Sequence, residues 1–266
     1  SMDMKSLGAA CVDVLQCSDP LAKVMAARKA ARDWRLGRLA HRFDVAPPDR
    51  PGRPERPELL PPNRMPKRGK GGSERARIAM IHALAHIEFV AIDLAFDLVA
   101  RFGDAFPPEF ADDWLRVGAD EAMHYALLAR RLAELGSAYG ALPAHDGLWE
   151  AAIETAHDPA ARLAIVPMVL EARALDITPE TIVRFRRFDD ERTARMLQRI
   201  VDDEIRHVAA GTKWFLWSTN RAGANPQKIY QKLVRRHFRG AVKPPFNDSA
   251  RSQAGLTRDF YGPLAD

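Results

Sequence analysis

The feature that most restricts what this chain can become is a spacing between acidic and imidazole side chains. Two pentapeptides of the form DExxH occur, Asp120-Glu121-Ala122-Met123-His124 and Asp203-Glu204-Ile205-Arg206-His207. Glu121 lies 33 residues after Glu88, and Glu204 lies 33 residues after Glu171. On a helix, residues three apart are about 60° apart around the axis and one turn along it, so the carboxylate and imidazole of an ExxH can reach one ion. A lone ExxH is ordinarily a solvated surface couple. Glu88 and Glu171 change that reading, because they stand inside the apolar runs Ala85-His86-Ile87-Glu88-Phe89-Val90 and Val166-Pro167-Met168-Val169-Leu170-Glu171-Ala172. Carboxylates in such company are rarely buried without a partner. Each is followed five residues later by an aspartate, Asp93 and Asp176, so the whole pattern is an internal repeat.

Around these positions the chain is helical in pattern. Alanine, leucine, arginine and glutamate dominate and β-branched alternation is scarce, which predicts an all-α fold. Ser73 caps a first long helix running to about Phe102, and Pro107-Pro108 opens a second that ends near Leu135. Asp158-Pro159 opens a third, expected to stop at about Asp176 before Thr178-Pro179, with one further turn at Glu180 to Arg186. Asp189 or Asp190 opens the fourth, to about Thr219. A short helical piece is expected at Leu148 to His157. The first and second helices are joined by few residues, as are the third and fourth, and about twenty separate the pairs, which suits two antiparallel hairpins joined by one crossover.

The remainder flanks this bundle, assigned to residues 73–220. Residues 1–46 read as an N-terminal appendage whose helix starts at Asp19-Pro20 and ends near His41. Residues 47–72 hold eight prolines followed by the basic run Lys67 to Gly72, so they form a linker or an extended wrap. Residues 221–266 read as a basic helix from Asn225-Pro226 to about Phe238 and an irregular tail.

With 266 residues, 47 % of them hydrophobic, the chain can bury a full core. No long uncharged apolar run appears, since His82, His86, Glu88, Asp93 and Asp97 interrupt Ile78 to Ala100, so no membrane partner is expected. No basic segment followed by an apolar stretch marks the start, and the expected location is cytoplasmic. Cys11 and Cys17 lack the spacing and neighbours of a zinc or disulfide framework and are read as structural. A net charge of +5 fits either a solvated surface or attraction to a nucleic acid.

Four glutamates and two histidines, Glu88, Glu121, His124, Glu171, Glu204 and His207, make a hard oxygen and imidazole set suited to two ions of iron, of manganese, or one of each. Two divalent ions would neutralise four carboxylates that could not all stay ionised in an apolar core. Asp120 and Asp203, four residues before the histidines, are placed either to orient those imidazoles or on the helix surface. His82 and His86 point away from Glu88 and are not expected to ligate. Tyr125, Arg173, Arg206, Trp214 and Trp217 are read first as packing or surface residues, and Lys228, Lys232, Arg235, Arg236 and Arg239 as a solvated face.

The strings HxExxAxDL (His86 to Leu94), DExxH (Asp120 to His124), LEARxLD (Leu170 to Asp176) and the second DExxH (Asp203 to His207) resemble an uncharacterised bacterial domain-of-unknown-function family within the ferritin-like superfamily. The resemblance covers about Ser73 to Trp217. It implies a ferritin-like antiparallel four-helix bundle with the crossover after the second helix, and two metal ions bridged by Glu121 and Glu204. Glu88 with His124 and Glu171 with His207 would complete the two ends. Relatives in the wider superfamily include ferroxidases, rubrerythrins, a ribonucleotide reductase subunit and a tRNA hydroxylase. The expected function is therefore activation of O₂ for oxidation or hydroxylation of an organic substrate, a small molecule or a tRNA-like one, with an electron donor and a homodimer as partners. The alternative is iron oxidation, storage or metal handling without an organic substrate.

Overall fold

Side-chain caps begin most helices of the computed structural model, which describes residues 3–67 and 72–265. Ser6, Asp19, Ser73, Asp158, Asp190, Asn225 and Asn247 each accept a backbone N–H from the first turn that follows them, satisfying donors a helix start cannot pair internally. The described residues form helices and connecting segments, with two isolated bridges and no strand. Arg68 to Gly71, in the basic run, lie outside the described residues, as do Ser1, Met2 and Asp266.

The chain divides into two compact units, Ser1–Trp149 and Glu150–Asp266. The first contains α1 (Leu7–Gln16), α2 (Pro20–Arg35), α3 (Glu74–Phe102) and α4 (Pro108–Glu134). α3 runs along α4, α1 packs on α2 and α3, and α2 packs on α4. The N-terminal segment expected as an appendage thus supplies core, with Leu7 and Leu15 fully buried alongside Phe89, Ile92 and Phe96 of α3 and Phe110 and Leu128 of α4. α1 had no counterpart in the sequence reading, and α2 ends at Arg35 rather than near His41, with Gly37 beyond it in the left-handed region at φ 73°.

Two buried charges tie this unit together. Lys23 of α2 donates to Asp93 of α3, both shut from water, and Lys23 Nζ also donates to the carbonyls of Leu15 (3.4 Å) and Gly52 (3.2 Å). Arg53 Nε stands 3.5 Å from the second Asp93 oxygen. Burial pushes the Asp93 carboxyl up to about 6 against the pull of Lys23 and Arg53, and burial likewise lowers Lys23. Further bonds hold the proline-rich segment: Arg101 donates to the Pro48 carbonyl (3.1 Å), Gly52 N–H to the Leu15 carbonyl (2.7 Å), Leu60 N–H to the Ala144 carbonyl (2.7 Å) and Ala144 N–H to the Glu58 carbonyl (2.9 Å). Residues 47–61 therefore lie extended along the first unit, their backbone satisfied by neighbours since proline prevents a helix.

α3 with its following turn, Glu74–Ala105, is long and apolar enough by composition to cross a membrane, and most of its apolar window is buried within the fold.

α5 (Gly147–Glu154) carries the division between units, and the second unit continues with α6 (Pro159–Ile165), a π-helical turn (Val166–Glu171), α7 (Ala172–Arg187) and α8 (Glu191–Arg221). α6 and α7 pack on α8. The expected stop at Asp176 is corrected: α7 continues through Pro179 to Arg187. Pro179 cannot donate to the carbonyl of Leu175, and the Asn247 side-chain amide donates to that oxygen instead (3.0 Å), so the helix survives the proline. The tail expected to be irregular is helical in two places. After α9 (Pro226–His237) come α10 (Asp248–Gln253) and α11 (Arg258–Ala265), which rest on α7, α8 and α9. Arg251 holds Asp176 through two bonds (2.9 and 2.7 Å), and the Asn247 N–H donates to the same carboxylate (2.8 Å).

Asp93→Ala should lower the unfolding free energy of the protein by about 3–5 kcal/mol, because it leaves Lys23 buried without its counter-charge. The double variant Lys23→Met, Asp93→Leu should recover most of that loss in a urea titration. A double variant as unstable as the single one would show that the pair is not what holds α2 to α3.

Candidate metal centre

In the first unit, α3 and α4 bring three of the sequence-selected side chains to one interior spot. Glu88 belongs to α3, while Glu121 and His124 stand about one turn apart on α4, and all three are buried. His124 Nδ1 stands 3.5 Å from Glu121 Oε2 and 3.7 Å from Glu88 Oε2. One ligand atom from each lies within 4.8 Å of the others. An ion held about 2.1 Å from each donor, at donor–metal–donor angles from roughly 90° to 120°, needs donors about 3.0–3.6 Å apart. The two distances from His124 are at or close to that range, and with all donors within 4.8 Å of one another these three could hold one cation.

The electrostatics support the same fit. Burial and the neighbouring Glu121 charge drive the Glu88 carboxyl well above its usual range. Burial lowers His124, but hydrogen bonding and charge from Glu121 and Glu88 outweigh it and carry the imidazole up to about 11. Protons thus supply the positive charge this group requires, and a divalent cation satisfies the same need through oxygen and nitrogen donors.

The second unit repeats the ExxH half of the arrangement. Glu204 and His207 of α8 are buried, and His207 Nδ1 lies 3.6 Å from Glu204 Oε2, within 0.1 Å of the matching pair in the first unit. The same ring nitrogen faces the carboxylate in both. Glu171, half-buried, is the last residue of the π-helical turn. Insertion of that wider turn rotates the side chains after it relative to an α-helix, and such turns are common at functional positions. Sequence periodicity gave no warning of it. Pro167 within the turn and the Cβ-less Gly211 opposite were its traces, since a Cβ at 211 would fall 2.5 Å from the Pro167 ring. Tyr230 of α9 donates to the Met168 carbonyl (2.7 Å), capping the turn from outside.

The secondary candidates fall as follows. Asp203 pairs with Arg206 on its own helix, and Asp120 is half-buried on α4. His86 is occupied at both nitrogens, Nδ1 accepting from Tyr139 (2.8 Å) and Nε2 donating to the His145 carbonyl (3.1 Å). His82 Nε2 accepts from the Gly140 N–H (2.9 Å). Both histidines therefore fasten the loop after α4 rather than an ion. Tyr125 packs against Phe89 and Tyr139, and Tyr139, which the sequence reading passed over, is the centre of that cluster. Arg173 reaches Asp176 (3.4 Å) and the Lys243 carbonyl (2.9 Å). Trp214 is buried and Trp217 half-buried, their rings 5.9 Å apart. Among the described residues Cys11 and Cys17 form no disulfide, and burial raises the Cys11 thiol.

Comparison with known proteins gives one family and one relative. A family described as a protein of unknown function, DUF455, matches residues 16–262. An uncharacterized protein of Haemophilus influenzae is 40 % identical over 211 residues, covering 77 % of this chain and 73 % of the relative. No solved structure matches.

Ferrous or manganous ion in large excess over its dissociation constant should raise the melting temperature by roughly 5–10 °C, the shift expected for about 2.7 kcal/mol of ligand stabilisation in a protein of this size. His86→Ala should retain the shift and Glu121→Ala should lose it; an unchanged shift in Glu121→Ala would remove this residue from the ligand set. A pH effect follows from His82, whose burial lowers its pKa below the unfolded value of 6.5. The unfolded chain then binds more protons than the folded one, so the His82 contribution is complete above pH 6.5 and is lost as pH falls below it. Urea titrations from neutral pH downward should show that decline, and a shallower one in His82→Gln.

Proposed function

The chain belongs to the DUF455 family, and from its repeated buried glutamate–histidine pairs we propose that it is a dinuclear iron, or iron and manganese, carboxylate protein that activates O₂ to oxidise or hydroxylate an organic substrate. The carrying observation is the buried Glu88, Glu121 and His124 group together with a second ExxH pair of the same Nδ1 geometry at Glu204 and His207. In this reading the α3–α4 and α7–α8 pairs are the two hairpins of a ferritin-like bundle. Glu88 with His124 and Glu171 with His207 would hold one ion each, with Glu121 and Glu204 as the carboxylates they would share. The equal spacing of 33 residues in both halves supports that pairing.

The metals supply reducing electrons and open coordination positions that no side chain of this set offers. The residues bind, orient and exclude water. Four carboxylates neutralise two divalent ions, which keeps the set uncharged in an apolar interior. The apolar side chains beside Glu88, among them Phe89 and Ile92, are fully buried and limit access of water. Glu171, half-buried on its π-helical turn, is the carboxylate with most room to change its binding mode. A separate electron donor would restore the reduced state after each turnover.

Anomalous scattering at the iron and manganese edges, on crystals of protein purified without chelator, should show two ions, and the ferrous protein should consume O₂. Glu121→Ala and Glu204→Ala should each abolish two-metal occupancy while His86→Ala leaves it nearly unchanged. Full occupancy in either glutamate variant would contradict the bridging assignment. Two-metal occupancy with no O₂ uptake would replace the oxidative reading by one of metal handling.

A further inference from the structure

From Ile205 to Asn247 the chain contains no aspartate or glutamate and nine lysines and arginines, whereas the whole protein carries a net charge of only +5. The excess of positive charge is therefore concentrated in the second unit, on the end of α8, on α9 and on the segment that follows. On α9 the exposed cations are Lys228, Lys232, Arg235 and Arg236, with Arg239 just beyond the helix. Spacings of three and four residues put Lys228, Lys232, Arg235 and Arg236 on neighbouring positions of one side of the helix, and Arg239 follows after its end. Among the described residues no carboxylate lies within ion-pair distance of Lys228, Lys232, Arg235 or Arg236, and Arg239 has an exposed pairing with Glu154 at 3.5 Å. Like charges at these spacings repel each other and destabilise the helix unless a polyanion neutralises them.

We infer that this strip binds the phosphodiester backbone of a single-stranded nucleic acid. Three observations select that occupant. The other face of α9 is already used: Tyr230 and Val234 are buried, and Tyr230 is hydrogen-bonded to Met168, so the helix has no apolar side left to insert into an anionic bilayer. From Lys228 to Arg236 the strip extends about 12 Å along α9, with Arg239 beyond it, a length on the order of a few nucleotides of one strand. At its C-terminal end it meets a small cleft of about 100 Å³ whose lining includes the half-buried Phe238, with Lys243 and Arg173 beside it. A half-buried aromatic ring next to a row of cations suits bases carried on a phosphate chain, since every base offers a π face, and an acidic peptide has no use for it. The inference stands apart from the metal reading and requires no ion.

The test is fluorescence anisotropy of the full-length protein titrated against labelled short oligomers of uridine and of deoxythymidine, with polyglutamate and phosphatidylserine vesicles as the other polyanions. Five phosphate contacts to a single strand predict a log–log salt slope of about −3.5, so affinity should fall about a hundred-fold between about 50 and 200 mM salt. The variant K228E/K232E/R235E/R236E should bind at least about tenfold more weakly with a flatter slope, at unchanged melting temperature. The milder K228Q/K232Q/R235Q/R236Q should do the same in smaller degree if charge reversal disturbs folding. Equal binding of both oligomers identifies the shared phosphodiester, and tighter uridine binding identifies the 2′-hydroxyl as a further contact; either supports the inference. Oligomer binding that is absent or indifferent to both variants, or that polyglutamate or the vesicles match, overturns it.

Discussion

Glu88 sits in α3 beside the fully buried Phe89, and an ionised carboxylate there must be matched within a few ångström by a cation, a proton or several hydrogen-bond donors. The same demand recurs at Asp93, Glu121, Asp176 and Glu204, and much of the architecture of each unit is an answer to it. Asp93 draws Lys23 from α2 and Arg53 from the proline-rich segment. Asp176 draws Arg251 from α10, with Arg173 and the Asn247 backbone beside it. Glu88 and Glu121 draw His124, and Glu204 draws His207. The aspartates use side chains of this chain to balance their charge, whereas the glutamate–histidine groups present donor atoms at the spacing an ion requires.

This division explains why the repeat has two acidic positions with different consequences. An aspartate five residues after the ligand glutamate lies about 140° further round an α-helix, toward the flanking segments. There it fixes the N-terminal segment in one unit and the C-terminal segment in the other. Those segments look dispensable in the sequence because they lack the long periodicity of the bundle helices. In the fold they supply the counter-charges that let the aspartates be buried, and the extended backbone at 47–61 is satisfied through Leu15, Arg101 and Ala144.

The two halves of the repeat are not copies in backbone. α3 is one uninterrupted helix of 29 residues, while its counterpart is broken into α6, a π-helical turn and α7. Pro179 removes a backbone donor there, for which the Asn247 amide on the Leu175 carbonyl compensates, and Tyr230 donates to the Met168 carbonyl within the π-helical turn. Gly211 of α8 leaves the space that the Pro167 ring fills. A half-buried glutamate at the end of such a turn has more freedom than one held in the middle of a straight helix.

The sequence by itself determined the helical character, the starts of the long helices and the identity of the buried acids and imidazoles. These rest on local physics: a capping side chain, a proline at the first turn, and a charge that an apolar run cannot bury alone. Ser73, Asp158, Asp190 and Asn225 act within four residues, so their effects are visible in a linear string. Only the tertiary structure decided that α7 passes through Pro179, that the tail folds into α10 and α11, that His82 and His86 fasten a loop at Tyr139, and that Lys23 and Arg251 reach Asp93 and Asp176. Each of those depends on a partner some 50 to 75 residues away, as the separations of His82 from Gly140 and of Asp176 from Arg251 illustrate. No periodicity within one segment encodes which distant donor will arrive.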